Sequence, residues 1–431
     1  MIRLGIAVLL ALVGIWALTG RERTTVEEAP VEEILATAAE APEVSAQGDL
    51  ASQDTAGKVV WDLRPAWNDR VEFWIDFLTG ENRDKTRLWL ERVGRYGPMI
   101  RAALRERGMP EDLLYLAMIE SGLSPRAYSR ANASGLWQFI SETGRRYGLE
   151  VSGYVDERRD PIEATRAALD YLEDLYDQFG SWYLAAAAYN TGENRVERIL
   201  RQRAGGARGD DALFWKIDQY LPRETRDYVP LMLAAGHIAK EPEKYGFKGL
   251  ELQRPLRFDT VRVPGATSLR AVAKAAEVDY DVIKQLNPHL VRGTTPPDRP
   301  WAVRLPPGRR RVFANNFARM DREERMALLD HVVRRGETLS HIARRYGTTV
   351  RALQEANGWL DPRRLAVGQR IRVPVAGTFG RAEWRYYLVR RGDSLWAISR
   401  RYGVSVRQLQ AWNDLGRRSR ILPGQRLRIR T

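Results

Sequence analysis

The chain has 431 residues, too long for one ordinary hydrophobic core, so two to four domains are expected. Hydrophobic residues make up 44% and charged residues 29%, which excludes both a disordered chain and a bundle of membrane spans. The formal net charge of +14 points to an acidic partner or surface, and the absence of cysteine excludes disulfides, thiolate metal sites, a cysteine nucleophile and a lipid-modified N-terminal cysteine. The four histidines, His237, His289, His331 and His341, form no close-spaced pair, so no metal site is expected.

The chain opens with "MIRLGIAVLLALVGIWALTGRER". Arg3 precedes an apolar run from Leu4 to Leu18, and Arg21 and Arg23 follow it, the layout of a secretory signal. A membrane span needs about 20 apolar residues, so the run is short for one. No small-x-small cleavage site follows directly. Residues 1–20 therefore read as a signal peptide or an N-terminal membrane anchor, and the protein as exported. Residues 21–57, rich in Glu, Ala, Thr, Val and Ser, read as a flexible linker.

From 58 to 248 the periodicity is helical. "DRVEFWIDFL" and "ATRAALDYLEDLYDQF" repeat apolar residues at spacings of three and four. Within this part, "YLAMIESGLSP" raises a chemical question, because Glu120 ends a run that is apolar nearly all round. Leu113, Leu116 and Ala117 share its helix face, and Gly122 and Pro125 end the helix just beyond it. Burial disfavours a charged carboxyl and raises its pKa, which suits a general acid near neutral pH. "SGLWQF" adds a tight Gly, an indole and an amide. "YLAAAAYNTGENRV" adds a helix of small residues ending in Tyr189, Asn190 and Gly192. Together these supply one acid, aromatic walls and amide donors, the kit for a neutral, hydroxyl-rich polymer.

The C-terminal part repeats. "VVRRGETLSHIARRYGTTVRALQEANGW" from Val332 matches "LVRRGDSLWAISRRYGVSVRQLQAWNDL" from Leu388 without a gap. Gly336 pairs with Gly392, Leu339 with Leu395, and Asn357 with Asn413. A weaker copy lies upstream, with Val263, Leu269, Val272, Ile283 and Asn287 in the same register. Each copy reads strand, two helical pieces, strand: a small βααβ module in an α+β class. The modules are placed at 257–308 (degenerate), 331–375 and 386–431. Residues 331–431 hold twenty-two Arg against six acidic residues. A solvated Arg-biased surface would account for this, as would adhesion to a polymer bearing carboxylates.

"ES" at Glu120–Ser121, "GLWQ" at Gly135–Gln138, "AYNTG" at Ala188–Gly192 and "ETRDYV" at Glu224–Val229 resemble, in order, the motifs of the soluble-lytic-transglycosylase catalytic domain. "DERRDP" at Asp156–Pro161 and "GLWQF" resemble its membrane-bound lytic murein transglycosylase D branch. The repeats resemble LysM modules, which bind N-acetylglucosamine-containing glycans. The resemblance implies a mostly helical, goose-lysozyme-like catalytic fold and cleavage of the MurNAc–GlcNAc β-1,4 bond of peptidoglycan without metal or cofactor, leaving 1,6-anhydroMurNAc ends. By the same resemblance Glu120 is the catalytic acid and then base. Ser121, Ser129 and Gln138 are hydrogen-bonders of the site, Tyr189 and Asn190 are substrate contacts, and Glu224 and Tyr228 support the acid. The family often has Met in "GLMQ"; Trp137 stands there, so the pocket wall is expected to differ. Relatives in this branch are often lipoproteins, and this chain has no Cys to acylate. The competing readings are a lysozyme-type hydrolase, a non-catalytic wall-binding protein, and a nucleic-acid binder built on the basic tail. The export signal argues against the last, so no nucleic acid is expected as partner.

Overall fold

The computed structural model describes residues 38, 59–296, 299–325, 328–346, 350, 353–354, 357, 361, 365–374, 384–390, 392–402, 406–413, 415 and 421–430. Segments 1–20 and 21–57 lie outside the described residues apart from Ala38. That residue is buried, and its carbonyl accepts from Arg223 at 3.1 Å. Among the described residues no helix is long and apolar enough to cross a membrane.

The helical part starts with α1 (Asp69–Thr79) and α2 (Arg83–Glu106). Asn68 caps α1 by accepting from the amides of Arg70 and Val71. The short α3 (Leu114–Ser121) is buried along its whole length and ends at Gly122, whose φ of 57° is left-handed. A Cβ there would lie 2.1 Å from Trp89 Nε1, so only glycine fits both the backbone and the packing. Next come α4 (Ser141–Arg146), α5 (Pro161–Phe179), α6 (Trp182–Thr191), α7 (Glu193–Ala204), α8 (Ala212–Ile217) and α9 (Arg223–Lys240). Asp160 caps α5 with Pro161 in its first turn, and Ser181 caps α6.

Helix α9 packs on α1, α3 and α6 and so forms the centre of the domain. The run of alanines from Ala185 to Ala188 is fully buried, and its small side chains let α6 approach α5 and α9 closely. Trp74, Trp137, Tyr115, Tyr183 and Tyr228 are the bulkiest fully buried side chains of this core. Each large apolar side chain withdrawn from water contributes about 1.5–3 kcal/mol. Arg70 of α1 crosses to Asp218 at 2.7 Å within this core. Both side chains are buried, so breaking the pair would strand a charge.

Among the described residues, three small antiparallel two-stranded sheets follow. Strand β1 (Asp259–Val263) pairs with β2 (Trp301–Leu305), β3 (Leu328–Val332) with β4 (Arg370–Pro374), and β5 (Trp384–Leu388) with β6 (Arg426–Arg430). Helices α10 (Leu269–Ala276) and α11 (Tyr280–Leu286) lie between β1 and β2, and α12 (Arg310–Arg319) packs on α10. Helix α13 (Leu339–Tyr346) follows β3, and α14 (Leu395–Tyr402) and α15 (Val406–Trp412) lie between β5 and β6. The repeated asparagine explains why the sequence pattern holds the unit together. Asn287 donates to the carbonyls of Ile283 and Arg304 and accepts from the Arg304 amide. Asn357 does the same with Leu353 and Arg372, and Asn413 with Leu409 and Arg428. In each copy one amide side chain closes the second helical piece onto the last strand.

Candidate active site

Glu120 stands at the C-terminal end of α3, where the αL turn at Gly122 releases the chain. Its residue is 6% exposed. That small exposure faces a cleft of about 360 Å³ lined by Glu120 together with Gln138, Phe139, Arg146, Tyr171, Tyr189, Asn190, Glu193 and Glu224, among others. Tyr228 of α9, completely buried behind the acid, donates its hydroxyl hydrogen to Glu120 Oε1. Burial, and after it the charge of Glu120, pushes the Tyr228 and Tyr189 hydroxyls well above the ordinary phenol range. Both therefore remain protonated donors at physiological pH.

The loop from Ala127 to Ile140 forms one wall. It is a tight double turn: Ser134 bridges to Tyr128 on one side and to Phe139 on the other. Gly135, at φ 87°, is required here, since a Cβ would come within 1.7 Å of the Arg158 carbonyl oxygen. Gln138 sits at φ 44°, a left-handed conformation unusual for a side-chain-bearing residue and stored at the site. Its Nε2 donates to the carbonyls of Ala127 and Gly135 at 3.3 and 2.8 Å, and its buried Oε1 has no protein partner. An acceptor left open on the cleft wall can take a donor from outside the protein.

The opposite wall comes from α6 and α9. Tyr189 donates to the Trp137 carbonyl at 2.7 Å. Asn190 donates to Glu224 at 2.9 Å and accepts from Thr225 at 2.7 Å, which fixes the orientation of its amide. The aromatic rings run in series: Phe139 lies edge-on to Tyr189, Tyr189 is 5.2 Å from Tyr171, and Tyr171 is 4.9 Å from Tyr147. Glu193 accepts from Tyr171 and Arg146, both at 3.2 Å. Burial opposes the ionisation of Glu193, but a backbone hydrogen bond and Arg146 outweigh it and hold the carboxyl low.

Three descriptions of known proteins match this chain. The transglycosylase SLT domain covers residues 97–210, LysM domains cover 331–374 and 387–430, and the lytic transglycosylase MltD LysM-like domain covers 257–322. Membrane-bound lytic murein transglycosylase D of Escherichia coli (strain K12) is 32% identical over 353 residues, spanning 78% of this chain and 76% of that protein. The chain belongs to the lytic murein transglycosylase D family. Membrane-bound lytic murein transglycosylase C of Haemophilus influenzae (strain PittEE) is 27% identical over 180 residues, covering 38% of this chain and 48% of that protein. Among solved structures, the 70 kDa soluble lytic transglycosylase of Escherichia coli aligns over 43% of this chain and 32% of that one, at 24% identity and a TM-score of 0.31.

The fold is thus a mostly helical, lysozyme-like transglycosylase domain followed by βααβ LysM modules, the class expected from the sequence. The SLT match stops at 210, short of Glu224 and Tyr228, yet α9 folds back to bring Glu224 into the cleft and Tyr228 behind Glu120.

Of the residues singled out in the sequence, Glu120, Gln138, Tyr189, Asn190 and Glu224 line one cleft. Tyr228 stands behind the acid. Ser121 and Ser129 are buried and do not line it. Ser121 Oγ donates to the Leu136 carbonyl at 2.8 Å, and Ser129 Oγ accepts from the Ala133 amide at 3.2 Å, so both hold the loop in shape.

Trp137 departs from expectation. It is no pocket wall: the side chain is completely buried, and its Nε1 donates to Thr165 Oγ1 at 2.9 Å. The tight turn sends neighbouring Trp137 and Gln138 in opposite directions, one into the core and one into the cleft. Arg146, Tyr171, Phe139 and Glu193 were not singled out. Glu193 lies within the "YNTGEN" stretch, and a carboxylate directly after the helix-ending glycine was the available signal.

Proposed function

We propose that the chain is a peptidoglycan lytic transglycosylase in which Glu120 alone carries both proton transfers. The observation that carries this reading is a buried carboxyl, held from behind by a phenol, opening onto a cleft lined by amides and aromatic rings. Glu120 gives its proton to the bridging oxygen as the MurNAc C1–O bond breaks. The sugar's own 6-hydroxyl oxygen then bonds to C1, and its proton passes to the Glu120 carboxylate. This closes the 1,6-anhydro ring and restores the acid. No water is consumed. The open Oε1 of Gln138, the Asn190 amide and the aromatic series hold the glycan, while Tyr228 steadies the carboxylate as charge develops on it.

LysM modules retain the enzyme on the wall. Tethered weak sites raise the effective concentration of the catalytic domain at an insoluble polymer. The Arg-rich tail supports this reading through the carboxylates of stem peptides. The cell envelope, on the periplasmic side, is the setting consistent with the family and with the N-terminal segment, which serves as signal or anchor.

The test is muropeptide analysis. Wild-type protein is expected to release 1,6-anhydroMurNAc-ended products, and Glu120→Gln to lose roughly 10²–10⁴-fold in rate. Reducing MurNAc ends would instead identify a hydrolase, with Glu193 or Glu224 activating water. Undiminished release by Glu120→Gln would remove the acid from the mechanism.

A further inference from the structure

The motif "DERRDP", Asp156–Pro161, is not part of the cleft, yet it is packed on both sides. On one side it meets the module built on β1 and β2. Asp160 is buried and accepts from Arg304 Nη2 of β2 at 2.8 Å, and His289 Nδ1 lies 3.0 Å from its carboxylate. Trp301 Nε1 donates to His289 Nε2, which leaves Nδ1 as the proton-bearing nitrogen facing Asp160. Burial alone would raise the Asp160 carboxyl, but His289 and Arg304 outweigh it and hold it well below the usual carboxylate range.

The backbones join as well. The Asp156 amide donates to the His289 carbonyl at 2.9 Å, the Val291 amide donates to the Tyr154 carbonyl at 3.2 Å, and Val155 bridges to Leu290. Val155 is completely buried within the module's own core. Arg292 donates to the Gly153 carbonyl, and Arg299 to both oxygens of Glu150, all at 2.6 Å.

On its other side the same loop grips the cleft wall. Arg158 is buried and fixed bidentately by Asp156 at 2.8 Å. Its Nη1 donates to the carbonyls of Asn132 at 2.7 Å and Phe139 at 2.9 Å, the latter being the residue directly after Gln138. Arg159 donates to Ser134 at 3.1 Å. Asp160 also caps α5, which carries Tyr171 into the cleft. Gln138 holds a strained backbone conformation, and such strain persists where the surroundings over-determine it.

We propose that the first LysM-like module is a buttress of the catalytic cleft: Arg304 and His289 are positioning residues that, through the 150–160 loop, set the wall carrying Gln138. The module is then part of the catalytic unit and not only a tethered glycan binder. Gln138 itself belongs to the site by the reading above, on which this proposal rests.

The experiment uses the full chain. Arg304→Met, Arg304→Lys and, as a control, Lys274→Ala, which breaks an exposed pair to Glu324 within the module, are compared for kcat and KM on soluble glycan strands and for amide exchange across 127–140. A 1 Å misplacement of positioning groups can cost on the order of 10²-fold. A partial release is expected to lower kcat/KM by roughly tenfold in Arg304→Met, mostly through KM, with partial recovery in Arg304→Lys. Amide exchange at 127–140 should accelerate while exchange in α1 stays at its wild-type rate. The exchange readout does not depend on the catalytic assignment of Glu120.

Unchanged exchange at 127–140 with unchanged kcat/KM would overturn the proposal. So would an equal rise across the whole helical domain, which means lost stability and not lost support. If Arg304→Met fails to fold, Arg299→Met removes the half-buried pair to Glu150 and a contact with the Trp301 ring while leaving Arg304 in place. It should show the same local exchange in smaller measure, and no change there overturns the proposal equally.

Discussion

Tyr228→Phe isolates the phenol behind the acid. The substitution keeps the ring, which is completely buried, and deletes only the hydroxyl that donates to Glu120. A hydrogen bond to a charged group is worth about 1.5–3 kcal/mol. On the proposed mechanism the bond is strongest when Glu120 has just released its proton, so the loss falls on the transition state more than on the bound substrate. At about 1.4 kcal/mol per factor of ten, kcat should fall roughly 10- to 100-fold. KM should stay near its wild-type value, because Tyr228 does not line the cleft. The assay is release of anhydro-ended muropeptides from soluble glycan strands at saturating concentration. In a Glu120→Gln background the same change should cost nothing further, since the phenol acts through that carboxyl. A Tyr228→Phe protein that melts like wild type and keeps kcat within twofold would refute the reasoning, as would full additivity with Glu120→Gln.

Two other outcomes test the framework around the site. His237 is enclosed by Trp61 and Trp67, and burial, with Lys244 adding to it, lowers its pKa to about 4. The unfolded chain binds that proton near the ordinary value of about 6.5, so the stabilising contribution is intact above about pH 6.5 and is lost as pH falls through 4. His237→Gln should therefore lose less stability than wild type between pH 7 and 4, by at most about 3 kcal/mol, read from denaturant midpoints; an equal loss would rule out the histidine. Asn413→Ala removes three hydrogen bonds, to the carbonyls of Leu409 and Arg428 and from the Arg428 amide. It should destabilise the last repeat by about 2–3 kcal/mol and reduce retention on pelleted peptidoglycan, while unchanged retention would mean that this repeat does not bind.

The sequence made some of these features legible and hid others for a physical reason. A helix apolar on every side, closed by a carboxylate and then Gly and Pro, leaves that Glu either buried or emerging into solvent at the helix end, and the packing around α3 buries Glu120. The βααβ repeats were legible because each is closed by local contacts such as Asn413 to Leu409, four residues away. Trp137 was misplaced because pattern alone does not tell which way successive side chains point in a turn with left-handed residues at Gly135 and Gln138. Arg146, Tyr171 and Glu193 come from three helices and meet only after folding. The junction of Asp160 with Arg304 spans 144 residues, and nothing local marks either partner.

The arrangement of carboxylates bears on why a sugar hydroxyl, and not water, would complete the reaction. A two-carboxylate hydrolase needs its second carboxylate either aimed at C1 or holding a water opposite the acid. Here Glu224 is engaged by Asn190, whose own oxygen accepts from Thr225, and Glu193 is engaged by Tyr171 and Arg146. Each of these contacts holds its carboxylate in place and so opposes its turning to abstract a proton from water. The 6-hydroxyl, by contrast, arrives already attached to the ring that must be attacked, so its effective concentration at C1 exceeds that of any water admitted to the cleft. One carboxyl then suffices, provided it does not move between giving its proton and recovering another. The phenol of Tyr228 behind it and the fixed end of α3 at Gly122 both oppose such movement.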